Sequence, residues 1–64
     1  MTARDRFHVN QRVKLSEKGR AQLGTGYQPG IVRGFGRKPE LVRIQRDGVK
    51  SVESYHMDFW EPIE

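Results

Sequence analysis

The sequence predicts an all-β domain of five short strands, and two observations favour this fold class. In residues 41–46 apolar and polar side chains alternate, with Val42 and Ile44 on one face and Arg43 on the other. A period of two is typical of a half-buried strand. An Asp-Gly pair follows this stretch, and that pair is a strong signal for a tight hairpin. The strands are expected near residues 9–15, 29–35, 41–46, 49–53 and 58–62.

The first half of the chain places one short helix between two strands. Residues 1–8 are polar and charged and are expected to form a flexible arm, with residues 9–64 as a single domain. Ser16 is positioned to cap one or two helical turns that end at Gly24. Tyr27 follows in a glycine-rich loop, where its ring either covers the open end of the sheet structure or forms part of a binding surface. The residues expected in the core are Val13, Leu15, Val32, Val42 and Ile44.

The second half contains the central hairpin and the final strand. Gly34 and Gly36 lie in the hairpin, where glycine permits a bulge or a sharp bend. Residues 54–57 are expected to form a single 3₁₀ turn before the last strand. Consecutive Phe59 and Trp60 must point to opposite faces of that strand, so one is expected to fill the core.

Length and composition exclude several classes of protein. Sixty-four residues make one domain with a small core, since a chain of this size hides only about 60% of its unfolded surface. The absence of cysteine removes disulfides, thiolate metal sites and cysteine nucleophiles. No apolar stretch resembles a signal peptide or approaches the ~20 residues that span a bilayer. A cytoplasmic domain with no membrane partner is therefore expected.

The order of the predicted elements resembles an SH3-like small barrel over about residues 9–63. A long irregular connection follows the first strand, tight hairpins join the middle three, and a 3₁₀ turn precedes the last. Gly30-Ile31-Val32, followed by Val42 and Ile44, is similar to the KOW-type members of that group. The resemblance implies binding to RNA or to ribosomal or transcription partners. The acidic Ala-Leu-Tyr-Asp-Tyr run and tandem tryptophans of signalling SH3 domains are absent, so it does not imply binding of proline-rich peptides.

No group of residues has the pattern of an active site. Ser54, His56 and Asp58 lie at alternate positions of one short segment, and a nucleophile, base and orienting acid cannot converge from there. His8, His56 and Asp58 would leave a metal short of ligands. We therefore expect a non-enzymatic binding module with no cofactor, no metal and no small-molecule substrate.

Charge is distributed unevenly along the chain. Residues 1–50 carry all 12 Lys and Arg and four acids, a net charge of +8, whereas residues 51–64 carry four acids and no base, a net charge of −4. Such asymmetry indicates either a polyanionic partner or an acidic tail that pairs with the basic sheet within the fold.

Strand periodicity predicts that four basic residues share an outer face with an aromatic ring, Phe35, which has the same parity as Arg33. The four are Arg12, Lys14, Arg33 and Arg43, with Arg37 and Lys38 at the neighbouring hairpin tip and Arg46 at the next. Cations beside exposed aromatic rings suit RNA or DNA, because phosphates are attracted and bases can stack. The alternative for the same cations is a solvated face that keeps the protein soluble. The predicted nucleic-acid-binding residues are Arg12, Lys14, Arg33, Phe35, Arg37, Lys38, Arg43 and Arg46.

The second functional hypothesis is a protein-interaction domain. It uses aromatic residues at one end of the molecule, namely Tyr27, Tyr55 and Trp60. Salt separates the two hypotheses, because binding to a polyanion weakens steeply as salt is added and an apolar contact responds little.

Overall fold

The computed structural model describes residues 2–63 and is mostly β, as predicted. Two short helices and one 3₁₀ turn accompany five strands. In chain order the elements are α1 (Ala3–Arg6), β1 (Arg12–Leu15), α2 (Glu17–Leu23), β2 (Gly30–Phe35), β3 (Leu41–Arg46), β4 (Glu53–His56), the 3₁₀ turn (Met57–Phe59) and β5 (Trp60–Pro62).

The five strands form one antiparallel sheet in the order β4-β3-β2-β1-β5. Strands β4 and β5 lie at its two edges, and no hydrogen-bonded ladder joins them within residues 2–63, so the sheet is not closed. The longest helix, α2, has seven residues, and no helix in the described part of the chain is long and apolar enough to cross a bilayer.

The core lies on one face of this sheet and confirms the predicted alternation. All five residues predicted to be buried are 5% exposed or less. Trp60, which is larger than any of the five, joins them with no exposed surface. Trp60 therefore fills the core while its neighbour Phe59 is only partly buried. One of the two was expected in the core, but Phe59 ends the 3₁₀ turn and only Trp60 belongs to β5.

Helix α2 begins and ends where the sequence predicts. The Ser16 hydroxyl accepts a hydrogen bond from the Gly19 N–H at 3.1 Å, and the Gly24 N–H donates to the Arg20 carbonyl with Gly24 at φ 95°. Gly19 is buried, and a Cβ at this position would collide with the Phe59 carbonyl oxygen. Glycine thus lets α2 lie directly against the 3₁₀ turn.

The fourth strand lies later in the chain than predicted. It was expected at 49–53, before a 3₁₀ turn at 54–57, but β4 begins at Glu53 and the turn begins at Met57. A type I′ turn needs positive φ at both central residues, and of Asp47 and Gly48 only Gly48 has it. The Gln45 side-chain amide instead donates to the carbonyls of Val49 and Lys50 at 3.1 and 3.3 Å. These two carbonyl groups therefore have hydrogen-bond partners although residues 49 and 50 belong to no strand.

The first and last strands are also shorter than predicted. Strand β1 begins at Arg12 rather than residue 9, because the chain turns at Asn10, which has φ 74°. Val9 is consequently 48% exposed and takes no part in the core. Strand β5 is confined to Trp60–Pro62, because the 3₁₀ turn occupies the positions before it.

The N-terminal segment contributes to the core, although the sequence predicted a flexible arm. Ala3 and Phe7, at i and i+4 around α1, lie on the same side and are 0% and 3% exposed. The Ala3 N–H donates to the Pro39 carbonyl at 2.7 Å, and Arg6 donates to Asp58 at 2.6 Å. The sequence prediction was based on the charged and polar composition of residues 1–8. Two apolar residues at helical spacing are enough to pack this segment against the core.

Candidate nucleic-acid interface

The outer face of the sheet carries four of the predicted cations. Arg12, Lys14, Arg33 and Arg43 are all exposed and alternate with buried residues along their strands. Strand pairing makes Arg43 the neighbour of Gly34, next to Arg33.

These four cations differ in what neutralises them. Arg12 forms two parallel hydrogen bonds with Asp47, both 3.0 Å, and this contact lowers the pKa of the Asp47 carboxyl group. Arg33 donates to a neutral acceptor, the Gln45 amide oxygen, at 2.9 Å. Within residues 2–63 no carboxylate lies within 4.0 Å of Lys14, Arg33 or Arg43. Three of the four therefore keep an unmatched positive charge.

A bulge in β2 moves Phe35 away from this face and corrects the prediction made for it. Val32 pairs with Ile44 but Gly34 pairs with Arg43, so Arg33 is the extra residue. Phe35 then lies opposite Val42, on the core side, and packs against the core. An extra residue inverts every later side chain of the strand. The bulge expected from the glycines is confirmed, but it separates Phe35 from Arg33.

Phe35 instead lines a pocket at the turn between β2 and β3. The pocket has a volume of about 300 Å³ and includes the two predicted turn cations, Arg37 and Lys38. Helix α1 adds Arg4, whose guanidinium carbon lies 4.6 Å from the centre of the Phe35 ring. Sequence reasoning missed Arg4 because it assigned residues 1–8 to a flexible arm. The available signal was Phe7, an apolar residue four positions after Ala3.

Arg46 lies on the other face of the sheet and belongs to a different cluster. It pairs with Gly30, in the same row as buried Val13. Its guanidinium carbon lies 4.5 Å from the centre of the Tyr27 ring, and its Nη2 lies 3.4 Å from Glu53 Oε2. Arg46 was predicted to extend the basic face, but strand parity directs it to the core side.

The aromatic residues of the protein-interaction hypothesis form a row that leads inward. The ring centres of Tyr27 and Tyr55 are 6.3 Å apart, and those of Tyr55 and Trp60 are 5.3 Å apart. Trp60 is completely buried and has no surface for a partner. The Tyr55 hydroxyl donates to Glu53 at 2.7 Å, and burial together with this carboxylate raises the pKa of Tyr55 to about 12. Tyr27 and Tyr55 are half-buried.

The acidic C-terminal segment pairs mainly outside the predicted basic face. Asp58 binds Arg6 at 2.6 Å and lies 3.6 Å from Lys18. The hydrogen bond from Arg6, assisted by the other nearby cations, lowers the pKa of Asp58. Of the predicted interface residues, Arg46 alone forms an ion pair with this segment within residues 2–63, through Glu53. Glu61 of this segment lies opposite Lys14 between β1 and β5, but the segment forms no ion pair with Lys14, Arg33 or Arg43 within residues 2–63.

Of the remaining polar residues singled out in the sequence, His56 has a local structural contact. His56 Nδ1 accepts a hydrogen bond from the Asp58 N–H at 3.1 Å and so caps the 3₁₀ turn. Ser54 and His8 are exposed. Across residues 2–63 no group of three or more His, Asp or Glu side chains is placed to hold a metal ion.

The resemblance to SH3-like barrels and to their KOW-type members stays a prediction based on the order of elements. Searches of protein-family models, curated proteins and solved structures found no match to this chain.

Proposed function

We propose that this protein is a small, non-enzymatic binding module that docks on RNA or DNA through its β2–β3 hairpin. One observation carries the proposal. The four cations Arg33, Arg37, Lys38 and Arg43 all belong to this hairpin, and within residues 2–63 none has a carboxylate within 4.0 Å. Arg46, the remaining cation of the hairpin, is matched by an acid, as are Arg6, Arg12 and Lys18 elsewhere. Within residues 2–63 the cations outside the hairpin that form no ion pair are Arg4, Lys14, Arg20 and Lys50.

A cluster of unmatched cations favours a polyanion over other ligands. Each phosphate that such a cation neutralises releases condensed counterions from the nucleic acid, and this release drives binding at low salt. The antiparallel pairing of β2 and β3 brings Arg33 and Arg43 onto adjacent strands. Adjacent strands are about 4.8 Å apart. The bulge at Arg33 increases the local twist of β2, and the Arg33 side chain is exposed.

The strand order supports a more specific description of the fold. An open five-stranded sheet whose last strand follows a 3₁₀ turn is compatible with an SH3-like small barrel of the KOW type. That fold is part of the proposal, together with a cytoplasmic location.

The test compares two double variants of equal net charge. Arg33→Ala with Arg43→Ala removes two hairpin cations, whereas Lys18→Ala with Arg20→Ala removes two from α2, which packs on the 3₁₀ turn and β1. Affinity for a labelled oligonucleotide is measured by fluorescence anisotropy over a range of salt. The hairpin variant is expected to lose affinity at low salt, with a salt slope lower by roughly one unit per lost phosphate contact.

The melting temperatures of both variants are measured beside their affinities, so that unfolding is not mistaken for loss of binding. Equal losses in the two variants would show a diffuse attraction set by net charge and would overturn the proposal. Absence of binding by the wild-type protein at low salt would overturn it as well. A protein contact through Tyr27 and Tyr55 would instead show little response to salt.

A further inference from the structure

The pocket at the β2–β3 turn is built by two segments that are distant in sequence. The N-terminal segment contributes Thr2 and Arg4. The hairpin contributes Phe35, Gly36, Arg37 and Lys38. The hydrogen bond from the Ala3 N–H to the Pro39 carbonyl, 2.7 Å long, joins the two.

The pocket is lined by cationic side chains and by one aromatic ring. Three cations and one phenyl ring line it, and no carboxylate from residues 2–63 does. The nearest acid along α1, Asp5, accepts hydrogen bonds from the Thr2 N–H and hydroxyl groups, both 3.0 Å long. Arg4 is exposed although it lies over the Phe35 ring, so one side of its guanidinium group contacts the ring and the rest remains accessible.

We propose that this pocket holds one unstacked nucleotide of a single strand, an inference that rests on the proposed function. The base stacks on the guanidinium group of Arg4, with Phe35 behind it, and the adjoining phosphate contacts Arg37 and Lys38. Arginine guanidinium planes and aromatic rings both serve as stacking platforms for splayed-out bases. Because every base has a π face, this arrangement accepts any sequence.

The size of the pocket fits one nucleotide, and a single strand supplies that nucleotide more readily than a duplex. Its volume of about 300 Å³ is at the lower end of the ~300–1,000 Å³ range of small-molecule sites, so it accommodates one nucleotide-sized group. A base inside a duplex is stacked on its neighbours and reaches such a pocket only after extrusion, which costs the free energy of unstacking and unpairing. A single strand supplies an unstacked base at a lower cost.

The experiment measures the binding of one labelled mixed-sequence oligonucleotide, as a single strand and as its duplex, at low salt. Arg4→Lys keeps the charge and removes the planar group, and Arg4→Ala removes both. Lys18→Ala, an exposed cation on α2, is the control of equal charge change. Phe35→Leu removes the aromatic ring, and its melting temperature is measured because Phe35 packs against the core.

Loss of the stacking platform is expected to weaken single-strand binding by about 5- to 150-fold in Arg4→Ala and Phe35→Leu. Arg4→Lys should retain less than half of the wild-type affinity even though the net charge is unchanged. The duplex should be bound more weakly than the single strand and should lose no more affinity in Arg4→Ala than in Lys18→Ala.

Two failures have different meanings. A wild-type protein that binds neither form contradicts both the proposed function and the pocket inference. A wild-type protein that binds, with Arg4→Lys unchanged and Arg4→Ala equal to Lys18→Ala, overturns the pocket inference and leaves the proposed function standing. The same holds if the duplex is bound as tightly as the single strand, and an acidic peptide that competes equally would show that the cations alone are recognised.

Discussion

Within residues 2–63 three arginines lie over aromatic rings. One is Arg6, over its chain neighbour Phe7 at 5.7 Å, and the other two pairs join separate segments and differ in what surrounds them. In one of these two pairs Arg46 lies 4.5 Å from the centre of Tyr27, and in the other Arg4 lies 4.6 Å from the centre of Phe35. The first arginine has a carboxylate partner, Glu53, which also accepts the Tyr55 hydroxyl. The second has none within 4.0 Å among residues 2–63, and two more cations line its pocket.

The comparison shows that residue type does not separate a structural contact from a candidate binding site. A cation–π pair contributes about 0.5–1 kcal/mol at an exposed position wherever it occurs. The carboxylate decides the difference, because a neutralised guanidinium group attracts a phosphate weakly. We therefore regard the Tyr27 end as a stabilising cap over the core and the Phe35 end as the candidate interface.

The largest effect is expected from Ile44→Ala, because Ile44 lies in the core that supports both ends and is 1% exposed. The variant should lose about 2–4 kcal/mol of unfolding free energy, most of the ~3–5 kcal/mol available to a domain of this size. Urea unfolding measures the loss. Ile31→Ala makes the same chemical change at a half-buried residue on the outer face, and it should cost roughly half as much or less. Equal losses would contradict the assignment of the two faces.

The next largest effect is expected at the Tyr27 end, where Glu53 neutralises Arg46. Glu53→Gln removes the carboxylate that accepts the Tyr55 hydroxyl, so the pKa of Tyr55 should fall from about 12 toward 10 and stay above it because burial persists. Tyrosinate absorbance during an alkaline titration measures this change, and Tyr55→Phe assigns the signal. Glu61→Gln, an acid without an ion pair among residues 2–63, should leave the pKa of Tyr55 unchanged.

The raised pKa of Tyr55 also gives the sign of its effect on stability. The folded protein favours the protonated phenol, so this contribution is complete below pH 10 and is lost as the pH rises toward 12. Wild-type stability should therefore fall over that interval, and it should fall less in Glu53→Gln. Identical alkaline profiles would show that Glu53 does not affect Tyr55.

The smallest effect is expected at the link between α1 and the 3₁₀ turn. Asp58→Asn weakens the contact with Arg6, and because Arg6 lowers the pKa of Asp58, the stabilisation is present above pH 3.8 and lost as the pH falls through the lowered value. Melting temperatures of wild type and variant should differ at neutral pH and converge in acid. Asp47→Asn breaks the exposed pair with Arg12 instead. Only Asp58→Asn should make α1 more sensitive to trypsin, and equal sensitivity would contradict the role of Asp58 in anchoring it.

Local sequence pattern predicted the parts of the fold that depend on neighbouring residues. The limits of β3, the end of β2, the five core residues and the cap of α2 were all correct, and β2 begins one residue later than predicted. Each follows from alternation or capping, which operate over a few residues. The position of β4 was wrong because it depends on the backbone conformation at Asp47 and Gly48, and several conformations are compatible with that pair of residues.

Part of the candidate site was predictable, and the part that was not depended on the tertiary structure. The hairpin cations and the turn residues Arg37 and Lys38 were identified from the order of residues alone. The bulge at Arg33 then placed Phe35 on the core side, a one-residue shift that periodicity does not locate.

For this protein, the sequence alone determined the fold class, the hydrophobic face of the sheet and the uneven distribution of charge, because all three are properties of residue order. The tertiary structure decided which charges remain unmatched. Asp47 forms an ion pair with Arg12, and Glu53 forms one with Arg46, whereas Arg4 lies over the Phe35 ring. The first and third contacts join residues more than 30 positions apart, and even the second depends on the loop that sets the start of β4. Pairing at such separations is chosen by the packing of the whole chain, which no local pattern encodes.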